Sequence, residues 1–376
     1  MAVYKIFPEQ DTFIFTQVVT GNAGYDEILE IGGYNIQNIG QSSRSLIQFK
    51  TSEIQNTVNR TIATGSWSAS LDLKLASGYE NPATQSIYVY PLAQQWEGGV
   101  GKFGDELGAS LTSQSADKSG CSWRYRKAEE TDAWTLSSFP TDVTGSYNDT
   151  YPGGGSWFSA SNGTSLEATQ SFGLNDQLDL SVDITTAAKL HYSGTLNNYG
   201  YIVKLQDNLE FNLSASLLNK YYSGNTNTIY PPSLTFKWDD SSYDTGSLTL
   251  LSSSEAVCQV SNNKGEYPDV GKARFRLLAR PIAPPRIFTT GSIYKTNYAL
   301  PSGSYYGLQD AYTEEMEIPF DTSFTKISCD STGPFFDVHM NGLQPERYYK
   351  ILIKSTLDGT TAVFDNDNVF KVVRNG

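Results

Sequence analysis

The chain has 376 residues, of which 39% are hydrophobic, 13% aromatic and only 18% charged, and its net charge is −13 at pH 7. That length sets an expectation of two or three domains with full cores, while 32 glycines and 15 prolines are close to average usage and exclude fibrous and disordered classes. The acidic balance and the lack of any basic run exclude a phosphate-backbone partner, whose affinity would rest on Lys and Arg.

The start, Met1 to Pro8, has no apolar signal region, and no run of 18 apolar residues occurs, so neither cleaved export nor a membrane-crossing helix is expected. The sequons at Asn59, Asn148, Asn162 and Asn212 are then incidental. Short strand patterns open the chain at Lys5–Phe7 and Thr12–Phe15, continue at Ile28–Ile31 after the Gly21–Gly24 turn, and resume at Ser45–Phe49. Ser52 to Gln55 matches a capping box, and Ile54 and Val58 lie one helical turn apart, which predicts a short helix. Leu71–Leu75 and Ile87–Tyr90 alternate cleanly, as half-buried strands do.

Residues 96–177 differ in character. Gly98, Gly99, Gly101, Gly104 and Gly153–Gly155, with many Ser and Thr, break any long element, yet Trp96, Trp123, Trp134 and Trp157 are threaded through them. Large aromatic rings dominate core energetics, so packing is the plain reading of each tryptophan; exposed in a polar loop bed, they would instead be stacking or interaction anchors.

At 178–205 a strand, a short helix, a turn and a second strand follow without interruption. Leu178, Leu180, Val182 and Ile184 alternate with polar residues, Asp183 can cap a helix through Ala187, Ala188 and Leu190, and Gly194 sits where a helix C-terminal glycine belongs. Tyr199, Tyr201, Val203 and Leu205 then alternate again. Ser233–Trp238 closes this half, and Asp239–Ser242 reads as a boundary between domains at 1–240 and 241–376. Beyond it, Ser247–Leu251 and Ala273–Leu277 are strand-like, Pro281, Pro284 and Pro285 form a turn that leads into Arg286–Phe288, and the remainder reads as a second, smaller β-sandwich.

The residues that could carry chemistry are few. His191 and His339 fall in different domains, so no Ser-His-Asp, Cys-His or His-based metal cluster assembles by spacing. Cys121, Cys258 and Cys329 are odd in number and widely spaced, which predicts buried thiols rather than a disulfide framework. Glu314, Glu315 and Glu317, and Asp239 with Asp240, are the densest acidic spots, but adjacent residues of a strand point to opposite faces. Asp365–Asn368 offers oxygen ligands that could take Ca²⁺, yet lies between two strand patterns and reads first as a hairpin turn. No other cofactor is expected.

Three resemblances follow from particular residues. Gln10–Ile14, Arg44–Phe49, the 178–205 segment and Pro232–Phe236 are similar, in order, to the strands and helix of the DNRLRE-type jelly-roll domain, a module resembling carbohydrate-binding modules. Leu343, Pro345 and Tyr349 resemble the Leu-x-Pro-x-x-x-Tyr corner of fibronectin type III sandwiches, where a tyrosine hydroxyl locks a turn to the next strand. Tyr25–Glu30, Asn227–Pro232, Phe236–Asp240, Leu300–Tyr306 and Gly342–Tyr349 resemble, nearly end to end, a virion structural protein of T4-like tailed phages of marine cyanobacteria.

These resemblances imply an all-β chain: a jelly-roll sandwich with one or two short helices, then a smaller immunoglobulin or fibronectin-like sandwich. They imply a non-enzymatic virion subunit of neck, tail or baseplate, located in the particle, whose partners are other virion proteins and which neither binds nucleic acid nor inserts into a membrane. A second reading is a carbohydrate-binding module that stacks host surface glycans on Trp96, Trp123, Trp134 and Trp157. A third is a polysaccharide hydrolase with two facing carboxylates in a cleft of the first domain.

Overall fold

A computed structural model describes residues 2–63, 65–78, 84–102, 118–135, 142–145, 151–212, 214, 216–285 and 292–374. Arg286–Phe288, Gly104 and the Asn148 sequon lie outside the described residues. The chain is all-β, with two short α-helices among the described residues, Thr51–Asn56 and Thr185–Ser193, and no helix long and apolar enough to cross a membrane.

Two compact units emerge, one of Ile6–Thr61 with Ser68–Thr235, the other of Phe236–Gly376 with Met1–Lys5 and Ile62–Trp67. The division falls at Phe236, inside the strand Ser233–Trp238, and two N-terminal segments belong with the C-terminal residues. Packing explains that assignment: Val3 lies against the second unit's core, Tyr4 meets the His339 ring, and Trp67 packs on Phe236 at 5.4 Å. Such long-range contacts leave no composition shift to be read.

The first unit is a jelly-roll-like sandwich dominated by an eight-stranded sheet. Its path runs Ala168–Phe172, Gln85–Pro91, Tyr201–Leu205, Ile39–Phe49, Ile28–Ile36, Leu217–Tyr222 and Leu75–Gly78, with Pro8–Phe15 also paired to Ile39–Phe49. Every pairing in it is antiparallel. Opposite it, Leu180–Asp183 pairs antiparallel with Trp67–Leu73, in the register Leu180 to Leu73 and Val182 to Leu71. Tyr201–Leu205 is buried along its whole length, so both faces of the large sheet are covered at that central strand.

The two helices differ from expectation in detail. Thr185–Ser193 ends on Gly194 at φ 73°, the left-handed cap foreseen, and Asp183 Oδ1 accepts the Thr185 N–H at 2.8 Å from just ahead of the helix. The capping box at Ser52 does not form: the helix begins at Thr51 behind an extended Lys50 that makes no side-chain cap, and it runs on into a wider π-helical turn at Thr57–Ile62. Burial of Ile54, Val58 and Ile62 outweighs the local capping preference here.

The second unit is a sandwich of a four-stranded and a five-stranded sheet. The first runs Ala256–Val260, Lys272–Pro281, Gly333–His339, Ser328–Asp330; the second runs Glu266–Pro268, Thr360–Val373, Tyr348–Leu357, Tyr305–Asp310, Met316–Ile318. Its core is aromatic, with Tyr306 stacked on Phe336 at 4.3 Å and Phe336 on Phe275 at 5.4 Å.

The expected corner is present. The Tyr349 hydroxyl accepts the Gln344 N–H at 2.8 Å and donates to the Gln344 carbonyl at 3.2 Å, Leu343 is buried in the core and Pro345 is half-buried in the turn. Asp365–Asn368, by contrast, is not a hairpin turn. The strand Thr360–Val373 continues through it as a bulge with Asp367 at φ 51°, and the pairing jumps from Lys350 with Val369 to Leu352 with Asp365. The turn lies earlier, at Asp358 and Gly359, where both residues take positive φ.

Candidate functional site

Strand alternation and register place Arg44, Leu46, Ile202, Lys204, Tyr88 and Tyr90 on one face of the large sheet. Ile202 stands opposite Leu46 and Tyr90, Lys204 opposite Tyr88, and Arg44 opposite Ile14. Segments between Leu92 and Trp157 pack on that face, whereas Ala168–Phe172 is an edge strand of the sheet itself. Trp96, Trp123, Trp134 and Trp157 join Ile14, Leu46, Leu92, Cys121 and Ile202 in a single buried cluster.

The four tryptophans are 0–4% exposed. Trp96 Nε1 donates to the Tyr199 carbonyl at 2.8 Å, Trp123 Nε1 to Tyr151 at 3.1 Å and Trp134 Nε1 to Ser122 at 3.0 Å. Trp157 stacks on Tyr90 with ring centres 5.7 Å apart. As solvent-facing sugar platforms these residues are therefore corrected: their faces are spent on packing, because apolar sheet surface this extensive has to be covered.

A charged network lies beneath them. Arg44 grips Glu210 through Nε at 2.9 Å and Nη2 at 2.7 Å, and donates from Nη1 to the Gly154 carbonyl. Its guanidinium also stands 4.7 Å from the Trp123 ring centre and 5.4 Å from that of Trp157. Lys204 Nζ approaches Glu210 at 3.2 Å, donates to the Leu205 carbonyl at 3.0 Å and pairs with Asp207. Arg44, Lys204 and Glu210 are almost fully buried, whereas Asp207 reaches solvent. Burying such charges is tolerable only because each is paired and hydrogen-bonded.

The glycine run at 153–155 has a specific cause. Gly154 sits at φ 84°, and a Cβ there would fall 2.6 Å from both Arg44 Nη1 and the Trp123 ring. A side chain would displace the backbone that caps Arg44.

Beside this covered area a groove of about 390 Å³ remains open, lined by Tyr88, Tyr90, Glu167, Gln206, Asp207 and Asn208. Tyr90 donates its hydroxyl to Glu167 at 2.7 Å, and burial together with that carboxylate raises the phenol's pKa. Glu167 and Asp207 share the groove, but both are exposed and each already holds a partner, Tyr90 and Lys204 respectively. In the sequence Tyr88 and Tyr90 read only as strand residues. Their i, i+2 spacing, which puts both rings on one face, was the available signal.

The remaining candidates occupy framework positions. His191 Nδ1 meets the Tyr201 hydroxyl at 3.2 Å while its Nε2 has no partner, and burial lowers its pKa to about 4. His339 lies in the other unit between the Tyr4 and Trp238 rings, its pKa also lowered by burial to about 4. The cysteines are free and buried; burial pushes the Cys258 thiol up to about 12 and the Cys329 thiol up to about 11. Glu317 pairs with Lys5, and Asp239 lies 3.5 Å from Lys326.

In the Asp365–Asn368 segment both carboxylates are paired with the Lys350 ammonium, 2.7 Å from Asp365 and 3.0 Å from Asp367. The Asn366 amide donates to the Cys258 carbonyl. Among the described residues no group of three or more His, Cys, Asp or Glu could hold a metal ion. No protein-family model matches the chain, and no curated protein matches it.

Proposed function

We propose that the chain is a non-enzymatic structural subunit of a tailed-phage virion, an accessory or decorating component of neck, tail or baseplate that acts by contact with other virion proteins. The observation that supports this reading is the use of the 92–177 region. Its four tryptophans pack on the sheet, and Arg44, itself held by Glu210, fixes the Gly154 carbonyl and the Trp123 and Trp157 rings, so the most chemically conspicuous part of the chain serves rigidity. Two aromatic-cored sandwiches with His191 and the thiols buried and His339 half-buried suit a building block whose work is done by its outer surface.

In a symmetric particle each subunit repeats the same contacts, so a modest interface becomes strong by multivalency. The net charge of −13 favours solubility before assembly. The test is direct: gold-labelled antibodies raised against the purified chain, applied to intact tailed-phage particles that encode it, should decorate one recurring position. Particles that carry no copy of the chain by mass spectrometry, with the chain present only in the infected-cell lysate, would overturn the proposal.

A further inference from the structure

We infer that the second unit carries a docking pocket for an acidic segment of a partner protein, a cavity of about 360 Å³ beside the start of the strand Lys272–Pro281. That a protein supplies the segment rests on the reading of the chain as an assembly subunit; the preference for a carboxylate next to an apolar side chain rests on the pocket alone.

The pocket arises where the chain passes from one sheet of the sandwich to the other. Ala256–Val260 stops pairing at Val260, opposite Leu277, and the Asn262 side chain extends the ladder: it donates to the Arg274 carbonyl at 2.8 Å and accepts the Arg276 N–H at 2.7 Å. The chain then crosses to the five-stranded sheet, where Asn263 Nδ2 donates to the Val369 carbonyl at 2.8 Å and Glu266–Pro268 pairs parallel with Lys371–Val373. The pocket is lined both by this crossing and by Lys272, Ala273 and Arg274. Its walls are thus pinned to both sheets.

Its polar side chains decide the ligand class. Lys264, Lys272 and Arg274 line it, and no acidic side chain does. Lys272 and Arg274 share one carboxylate behind them, Asp337, which accepts Arg274 Nε at 2.8 Å, Arg274 Nη2 at 2.9 Å and Lys272 Nζ at 3.0 Å. Two cations on one carboxylate leave one positive charge in surplus. Lys264, whose ammonium pairs with no carboxylate among the described residues, adds a second. Arg274 Nη1 is not used by Asp337, and the Tyr267 hydroxyl, which accepts the Lys264 N–H at 3.0 Å, keeps its own proton to donate. Free donors with surplus positive charge suit an anion. In a chain of net charge −13 this is a local reversal of sign.

The rest of the lining is apolar. Tyr267, Ala273 and Met340 are buried, Pro268 is exposed and Val270 is 45% exposed. An inorganic anion would leave this surface wet, and a nucleic acid would bring a run of phosphates toward a chain that is acidic as a whole. Neighbouring residues of a peptide can present a carboxylate to the cations and an apolar side chain to the wall. The cations are also held ready: Asp337 grips Arg274, whose guanidinium lies 4.1 Å from the Phe335 ring centre, so little order has to be gained on binding.

The test uses the full chain and a blocked hexapeptide of alternating Glu and Val, titrated by calorimetry and NMR at low salt. It should bind saturably with Kd below about 1 mM. The counterpart with Gln for Glu should bind at least about tenfold more weakly, the worth of one charge-assisted hydrogen bond. Lys264→Glu, at an exposed position, should abolish binding, Lys264→Arg should keep it, and Val270→Ser should weaken it about threefold. Unchanged thermal melting of the variants separates lost contacts from lost folding. No saturable binding up to about 10 mM, equal affinity for the two peptides, binding that Lys264→Glu leaves intact, or tighter binding of inorganic phosphate or oligothymidylate offered alongside would overturn the assignment. Absent peptide binding with gold decoration of particles intact would remove the pocket and leave the subunit reading standing; peptide binding by a chain that particles do not carry would do the reverse.

Discussion

Replacement of Arg44 by Met should be among the most damaging single changes in the chain. The substitution keeps an unbranched apolar stem but deletes two hydrogen bonds to Glu210 and one to the Gly154 carbonyl, and withdraws a cation from between Trp123 and Trp157. Glu210, 1% exposed, would keep Lys204 at 3.2 Å and the Ser42 hydroxyl at 3.2 Å. Breaking a buried pair from one side typically costs about 3–5 kcal/mol, and the residual Lys204 contact argues for the lower half of that range. Urea unfolding at pH 7, followed by tryptophan fluorescence, reads the relevant region because Trp123 and Trp157 flank the guanidinium. In the double variant Arg44→Met/Glu210→Met the loss should be smaller than the sum of the singles by at least about 2 kcal/mol, since no carboxylate is stranded. A loss below about 1 kcal/mol for Arg44→Met, or strict additivity, would refute the claim that Arg44, fixed by Glu210, secures the Gly154 and Trp123 segments to the sheet.

Other expectations are equally concrete. Gly154→Ala should cost at least about 2 kcal/mol through left-handed backbone strain and collision with Arg44 and Trp123, and should lower the melting temperature of the first unit. Tyr349→Phe should destabilise the second unit by about 1–3 kcal/mol by stripping both hydrogen bonds from Gln344, as seen in calorimetry. The pH response should differ between units. His339 and His191, held near 4 against an ordinary 6.5, stay neutral in the fold while the unfolded chain takes up protons, so stability present above pH 6.5 is lost as pH falls toward 4, by at most about 3 kcal/mol each. Asp11 opposes this in the first unit. Burial raises its carboxyl from 3.8 to about 6, so the folded state holds a proton that the unfolded chain lacks between those values, and stability rises by up to about 3 kcal/mol as pH falls through 6 toward 4. Hydrogen exchange read separately on peptides of each unit should show the second unit weakening in acid while the first changes little. Asp11→Asn, which can still accept the Gly224 N–H, should remove the compensation and make the first unit acid-sensitive too. An unchanged acid response in that variant would contradict the burial of Asp11 as its cause.

Period-2 patterning and turn chemistry were enough to determine an all-β chain with strands at Ile87–Tyr90, Leu180–Val182 and Tyr201–Leu205, the helix ending on Gly194, and the tyrosine corner at Tyr349, because each is written by residues a few positions apart. Other features depended on partners far away along the chain. Nothing local at Arg44 announces Glu210, 166 residues away, nor does the 96–177 composition say whether its tryptophans face solvent or Ile14, Leu46 and Ile202. Asp365–Asn368 looked like a turn because turn residues are cheap to recognise, yet pairing with Lys350 and Leu352 carries the strand through it as a bulge. The groove between Tyr88 and Asn208 exists only once Gln85–Pro91, Glu167 and the turn after Tyr201–Leu205 are brought together. Local periodicity determines what each segment is; burial of one segment's surface by another, a free energy summed over contacts remote in sequence, decided which side chains are framework and which remain open to a ligand.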